Sequence, residues 1–500
     1  MLKVRTTKIS SGNTAVQVVN NADHKTYIIK HIGTGKNLQE IEDLKKIGSQ
    51  YIDNLRTSSG EISFFKDENP LMFLEEVISN LSIKESFHTF AHEFLDHVYK
   101  LNGFDNLENR VLKDLSIMRI IEPVSKIDSI RLMHRYFNIN YSEGTLNRAL
   151  SKIITQKSEI EEIAVEYAKK NLNFDFSLVF YDVTNLYFES FKSDEFRKPG
   201  FNKDGKSQQP QVAIGLVVNS DGYPISIEIF EGNKFEGHTF IPVILALKEK
   251  YNINTLTVVA DAAMLSYDNM KALEENGLSF IVGARLSKVD SKVLESIAAE
   301  LNREEGKYIS TDTKYGTLVT DYSRKRAQKD KSDRNKQIRK AQTHIQYPSK
   351  NRRPRFVKQI SKTALEINTE LIEADELKEG IKGYYTNLVD INPQLIVSRY
   401  HDLWHVEKSF RIAKGDLKAR PIYHRKKDMI LSHILIVFVS LCMSKSLELQ
   451  TGYSIKRIKD EIWDILDVNI TDSNTHRIFT KRTLFPDSEV FSRLLQTFNS

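Results

Sequence analysis

Two stretches of this chain read as strands buried on both faces, and each ends its apolar run at an aspartate. Residues 176–188 are FSLVFYDVTNLYF, nearly continuous in apolar character but broken by Asp182. Residues 255–261 are TLTVVAD and close on Asp261. Runs of this kind suit a sheet covered by helices on both sides. A strand buried that way has little tolerance for a charge without a partner or a task. If the two strands are sheet neighbours, their carboxylates lie side by side. Like charges that close do not both stay ionised without a cation between them.

The surrounding pattern tells what kind of sheet this is. QVAIGLVV and YPISIEIF alternate as strands and are joined by Asn219-Ser220-Asp221-Gly222, a hairpin turn. GHTFIPVILALKEKY then has helical periodicity, a second helix starts at Ser266, and LSFIVGA is a further strand. The order strand, strand, strand, helix, strand, helix, strand predicts an α/β core with a mixed sheet flanked by helices.

Residues 400–421, YHDLWHVEKSFRIAKGDLKARP, complete the chemistry. Read as one helix, they place Leu403, Val406, Phe410, Ala413 and Leu417 on a core-facing stripe. Tyr400, Trp404, Glu407, Arg411 and Lys414 fall on the adjacent arc. Glu407 and Arg411 are spaced for a plain i,i+4 surface pair. Beside the two aspartates, Glu407 also reads as a third hard oxygen ligand. Three carboxylates without Cys or His partners point to magnesium or manganese, and open positions on two such ions suit phosphoryl transfer. Glycoside hydrolysis by two carboxylates would call for an aromatic-lined cleft instead of a basic segment.

The chain of 500 residues is 40% hydrophobic and 28% charged, the composition of a globular protein with several domains. The first residues lack the apolar run of a signal peptide, and MILSHILIVFVSLCM (429–443) is too short to span a bilayer, so it reads as a buried helix. The lone Cys442 excludes an internal disulfide and fits a reducing, cytoplasmic setting without membrane attachment. Net charge is +6, but residues 324–358 alone hold fourteen Lys and Arg against two Asp, a local +12, which leaves −6 for everything else. Such a segment is either a phosphate-backbone contact or a solvated arm.

Boundaries are expected as follows: a small antiparallel β module with a helix over 1–65, and a helical domain over 66–172. The first part of the core covers 173–290 and a basic inserted domain 291–379. The second part of the core covers 380–447, followed by a C-terminal region over 448–500. In the helical domain SEGTLNRAL resembles a helix-turn-helix passage with Thr145, Asn147 and Arg148 outward, although a plain bundle reads equally well. His88, His92 and His97 lie near one another but lack acidic or Cys partners at ligand spacing, which favours structural histidines.

Tyr400, Glu407 and Lys414 keep the spacing of Tyr-x2-Arg-x3-Glu-x6-Lys, and the chain resembles the DDE transposases of bacterial insertion sequences that carry this signature. LWHVEKSFRIAK followed by RPIYHR (420–425) is similar to a sub-branch reading YxxLWxVExxFRxxK and RPxxHR. FYDVTNLYFE and VVADAAMLS resemble its two aspartate strands, and KDGKSQQPQVAIGLVV and GNKFEGHTF also resemble its core. The likeness covers about 176–447 well and the N-terminal part loosely. It implies a ribonuclease H-like core in which Asp182, Asp261 and Glu407 are catalytic and hold two Mg²⁺ ions, with Mn²⁺ able to substitute. It also implies that the protein binds the terminal inverted repeats of its element, cuts the ends with water, and joins each 3′-hydroxyl to target DNA.

In that scheme Tyr400, Arg411 and Lys414 contact phosphate or sugar, and Trp404 either stacks on a displaced base or packs in the core. An inserted domain separates the second aspartate from the glutamate. Its Arg324, Lys325, Arg326, Arg334, Arg352, Arg353 and Arg355 would track double-stranded DNA, and pairing two ends implies a homodimer. An inactive or domesticated DNA-binding protein, or a nuclease that never joins strands, are the alternatives. Two departures stand out: Leu403 fills the arginine slot, and Ala262-Ala263 follow Asp261 where a glycine is frequent. An alanine forced to positive φ there would be strained.

Overall fold

The computed structural model describes residues 2–10, 12–22, 25–58, 77–200, 208–234, 236–264, 266–348, 353–361 and 364–499. The chain forms two compact units, Met1–Ser82 with Thr471–Arg477, and Ile83–Ile470 with Ile478–Ser500.

In the first unit, strands β1 (Leu2–Lys8), β2 (Thr14–Ala22) and β3 (Lys25–Gly35) form an antiparallel sheet in that order, as their alternation predicts. Helix α1 (Leu38–Ser58) is capped by Asn37, whose Oδ1 accepts from the Glu40 N–H, while Glu40 reaches back to the Lys36 N–H. It lies so close to β3 that a Cβ at Gly33 or Gly35 would come within 2.7 Å of Leu44 or Ile41.

The second unit begins with β4 (Leu81–Phe87) and five helices: α2 (Thr89–Leu101), α3 (Arg110–Ile121), α4 (Lys126–Phe137), α5 (Glu143–Thr155) and α6 (Lys157–Leu172). Asn109, Ser125 and Ser142 cap α3, α4 and α5 through their side-chain oxygens. The histidines of α2 and its cap are structural: His88 stacks on Trp463 at 3.5 Å, and His92 bonds Asp114 at 2.9 Å. Asn147 and Arg148 are exposed on α5, while Thr145 is half-buried.

The core follows as β5 (Leu178–Tyr187), β6 (Lys198–Pro199), β7 (Pro210–Val218), β8 (Pro224–Glu231), α7 (Glu236–Lys250), β9 (Thr257–Ala260), α8 (Tyr267–Glu275) and β10 (Ser279–Gly283). This is the predicted succession of a mixed sheet flanked by helices, with the two-residue β6 added. After α9 (Ser291–Leu301) come β11 (Tyr308–Thr313), β12 (Gly316–Tyr322), α10 (Arg324–Gln346), β13 (Val357–Gln359), β14 (Leu365–Ile367), α11 (Thr369–Leu377) and β15 (Ile381–Thr386). One nine-stranded mixed sheet results, with order β11-β12-β15-β10-β9-β5-β7-β6 and β8 paired on β7. β5, β9 and β10 run parallel, and β7 and β15 are antiparallel to them. The segment 291–379 therefore contributes β11 and β12 to the core sheet itself. Its basic run is an ordered helix, α10, which packs with β13, β14 and α11 on a small cluster around Ala341, Phe356 and Val357.

The chain ends with α12 (Pro393–His401), α13 (Trp404–Lys414), α14 (Lys427–Thr451), α15 (Ile455–Trp463), β16 (Asp467–Asp472), β17 (Ile478–Arg482) and α16 (Glu489–Asn499). α14 is apolar on all sides and long enough to cross a membrane, but 94% of its most apolar window is buried in the protein, as expected for a core helix.

One expectation needs correction. Residues 400–421 are two helices, not one, and helical structure stops at Lys414. At the junction the hydrogen bonds shorten to i→i−3: Leu403 N–H to Tyr400 O, His405 N–H to Asp402 O, and Val406 N–H to Leu403 O. This tightened turn shifts the helical phase. The stripe from Leu403 to Leu417 is buried as predicted, but Tyr400 leaves the exposed arc and is only 7% exposed.

Candidate active site

The parallel register pairs Tyr181 with Ala260, so the next residue on each strand, Asp182 and Asp261, emerge side by side. Both are half-buried. Each Oδ1 accepts the N–H of the following residue, Val183 at 2.8 Å and Ala262 at 2.6 Å, which fixes both carboxylates. Asp261 follows the end of β9, but Asp182, expected at a strand end, lies in mid-strand, because β5 runs on along β7 to Tyr187. Ala262–Met264 forms a 3₁₀ turn in which the Met264 N–H bonds the Asp261 carbonyl. Neither Ala262 nor Ala263 has a positive φ, so the alanine pair strains nothing.

The Tyr400 hydroxyl donates to Asp261 Oδ1 at 3.4 Å. Burial raises its pKa well above the usual phenol range, which makes it a weaker acid, and Asp261, Glu407 and Asp182 add to the shift in that order. Of the three predicted acids, Asp261 is bonded to this hydroxyl, and Glu407 and Asp182 act on it through their charge alone. Glu407 itself is exposed and, among the described residues, makes no hydrogen bond or ion pair; the i,i+4 pair with Arg411 does not form. Among the described residues, no three acidic, His or Cys side chains yet converge closely enough to grip one ion.

A cation that the sequence reading missed stands beside them. Lys382 of β15 places its Nζ 4.7 Å from the Tyr400 ring centre and 5.4 Å from that of Tyr384. Burial lowers its ammonium, with Arg326 adding to this, while Asp321, Asp261 and Glu407 oppose the shift. The signal was present: Lys382 interrupts the buried strand IKGYYT just as Asp182 interrupts its own. Behind it, burial raises the Asp321 carboxyl, against the hydrogen bond from Tyr384.

The other candidates divide. Trp404 is 49% exposed and stacks on His405 at 4.0 Å, outside the core. Arg411 is exposed, and Lys414 is half-buried beside Thr184 and Phe410. On α10, Arg324, Lys325 and Arg326 are exposed, the last 3.6 Å from Asp330. Arg334 is a correction: it is almost covered, bonded to Glu379 at 2.6 Å and 3.4 Å from Glu376, so it ties α10 down and does not face outward. Arg355 pairs with Asp375 at 2.7 Å, and Arg353 bonds Gln359. Arg352 lies outside the described residues. A cleft of about 470 Å³ between α10 and β15 is lined by Arg326, Arg334, Lys378 and Lys382.

No curated protein sequence matches the chain. A cryo-EM structure of the piggyBac transposase synaptic complex with hairpin DNA is similar at 11% identity, over 74% of this chain and 70% of that one, with a TM-score of 0.39. The Mos1 transposase paired-end complex with left transposon end gives 12% identity, 47% and 66% coverage, and a TM-score of 0.16. Scores this low carry no argument. The transposase DDE domain family, however, matches residues 173–443, which is 271 of 500 residues and spans all three acids. On that match, the chain belongs to the transposase DDE domain family.

Proposed function

We propose that the protein is a DNA transposase that binds the inverted repeats at the ends of its own insertion sequence, cleaves there, and joins the 3′-hydroxyl ends to target DNA. The observation that supports this is the emergence of Asp182 and Asp261 side by side from neighbouring parallel strands, with the Tyr400 hydroxyl bonded to Asp261. The donor set, all carboxylate oxygens, fits Mg²⁺ with Mn²⁺ as substitute, and Asp182, Asp261 and Glu407 would hold two such ions. The ions would supply activation of the attacking oxygen and stabilisation of the leaving oxygen. Tyr400 orients the Asp261 carboxylate through its hydroxyl. Lys382 beside Tyr400, and the exposed Arg411 one turn after Glu407, offer positive charge to phosphate oxygens. Trp404 presents an exposed ring that suits stacking on an unpaired base. Exposed Arg324, Lys325 and Arg326 on α10 suit contact with the DNA backbone. Synapsis of two ends would need two copies of the chain. The proposed setting is the cytoplasm of a bacterium, in keeping with one buried free thiol.

Purified protein incubated with end-sequence duplex and Mg²⁺ or Mn²⁺ should nick at the ends and transfer strands. Asp182→Asn, Asp261→Asn and Glu407→Gln should each lower cleavage by about 100-fold or more, the scale of losing a group that stabilises transition-state charge. Undiminished cleavage by these variants would sink the assignment. Binding without cleavage would mark an inactive DNA-binding protein, and cleavage without joining a nuclease.

A further inference from the structure

A second cluster of charge, which includes none of the three acids, lies where α3, α4, the 419–427 loop and α14 meet. Arg119, Lys126 and His433 are 5%, 4% and 2% exposed. Lys126 Nζ bonds His433 Nδ1, and the other ring nitrogen of His433 bonds the Ala419 carbonyl at 2.9 Å. The His424 ring stands 6.2 Å from that of His433. Among the described residues, no carboxylate pairs with any of these four groups. Among the described residues no side-chain hydrogen bond holds the Arg119 guanidinium, and Tyr423 is the one group whose charge would favour it.

Burial brings Arg119 down to about 10, so it is still charged at neutral pH. It depresses Lys126 and His433 further, and Arg119 adds to both shifts. A guanidinium taken out of water with no counter-charge is among the most costly arrangements a protein interior can hold. An anion relieves it. Arg presents a planar fork that matches two oxygens of a phosphate, Lys126 and His424 add single donors, and His433, engaged at both ring nitrogens, positions Lys126. Lys126 is also the first residue of α4, whose N-terminal end favours negative charge. The side that meets solvent carries Tyr423, Arg425, Lys426 and Lys427, all exposed. A short basic run beside a buried basic socket suits a polyanion better than a small free acid.

We propose that Arg119, Lys126, His424 and His433 form a phosphate-binding socket that takes a backbone phosphate of DNA. The socket itself stands on the cluster alone; the identity of the polyanion rests on the transposase reading. Neither depends on the three acids being competent for cleavage.

The test uses the full chain. Thermal unfolding is followed in inorganic phosphate and in chloride at matched ionic strength, for wild type, Arg119→Met, Arg119→Lys and Lys126→Met. Wild type should gain melting temperature with phosphate, Arg119→Lys should keep part of the gain, and both Met variants should lose it. Because replacing an unpaired buried cation by an apolar side chain removes a cost, Arg119→Met should fold at least as well in chloride. Binding of a DNA duplex is then measured against salt concentration. The log–log slope should fall by about one in Arg119→Met, the signature of one lost phosphate contact. A wild-type melting temperature indifferent to phosphate would overturn the socket. A phosphate response with an unchanged DNA slope would overturn the assignment to DNA. Failure of cleavage in every protein would overturn the enzymatic reading and leave both of these readouts intact.

Discussion

Gly283 shows how narrowly the site is built. It ends β10 next to Tyr400, and a Cβ there would lie 2.4 Å from the Tyr400 hydroxyl oxygen. Only a bare backbone leaves that hydroxyl room beside Asp261. Gly283→Ala should therefore cost about 1–3 kcal/mol by overpacking. Adding Tyr400→Phe should recover much of the loss, since the clashing atom is gone; denaturant midpoints of the two single variants and the double variant check the coupling. His424 gives a second prediction. Burial, then Lys126 and Arg119, hold it at about 4, against an unfolded value near 6.5. Between those values the unfolded chain binds the proton and the folded chain does not. Its contribution is thus present above pH ~6.5 and is lost as pH falls toward 4. Urea midpoints in phosphate-free buffer should drop over that window, and His424→Gln should flatten the drop.

At the scale of elements, α12 and α13 separate what periodicity could reveal from what it could not. The apolar stripe of α13 followed directly from 3.6-residue spacing, because burial of Leu403, Val406, Phe410, Ala413 and Leu417 depends only on local phase. Tyr400 escaped, because the i→i−3 turn at Asp402 and Leu403 breaks the phase, and no residue type in HDLW announces it. Leu403 stands where the signature that the sequence resembles has an arginine, yet it is 6% exposed and part of the main core. Restoring the signature as Leu403→Arg should destabilise the fold by about 3 kcal/mol, the scale of an uncompensated buried charge, and should not raise activity. Thermal and chemical unfolding, read beside a cleavage assay, would show it. Arg334 teaches a similar lesson. A basic run gives no sign of which cation turns inward until Glu376 and Glu379, more than forty residues later, are seen to meet it.

Over the whole molecule, the core from β5 to β10 was legible because buried strands and amphipathic helices alternate there with clear turns. The entry of β11 and β12 into the same sheet was not, since strand pairing across an insertion leaves no local trace. The Lys382 site depends on that pairing, because β15 lies between β12 and β10. Packing around α14 supplies a global prediction. Cys442 is fully buried at its centre and burial pushes its thiol well above the usual range. A thiol reagent should modify the native chain no faster than it unfolds, and the labelling rate should track denaturant concentration as global unfolding does. The sheet has one more consequence. Asp182 and Asp261 are 79 positions apart, and Glu407 follows 146 later. The acids become neighbours only through pairings of high contact order, which form late in folding. On the proposed reading, a ribosome that stalls before residue 407 releases a chain with two of its three acids, and such a fragment could leave the genome of its host uncut.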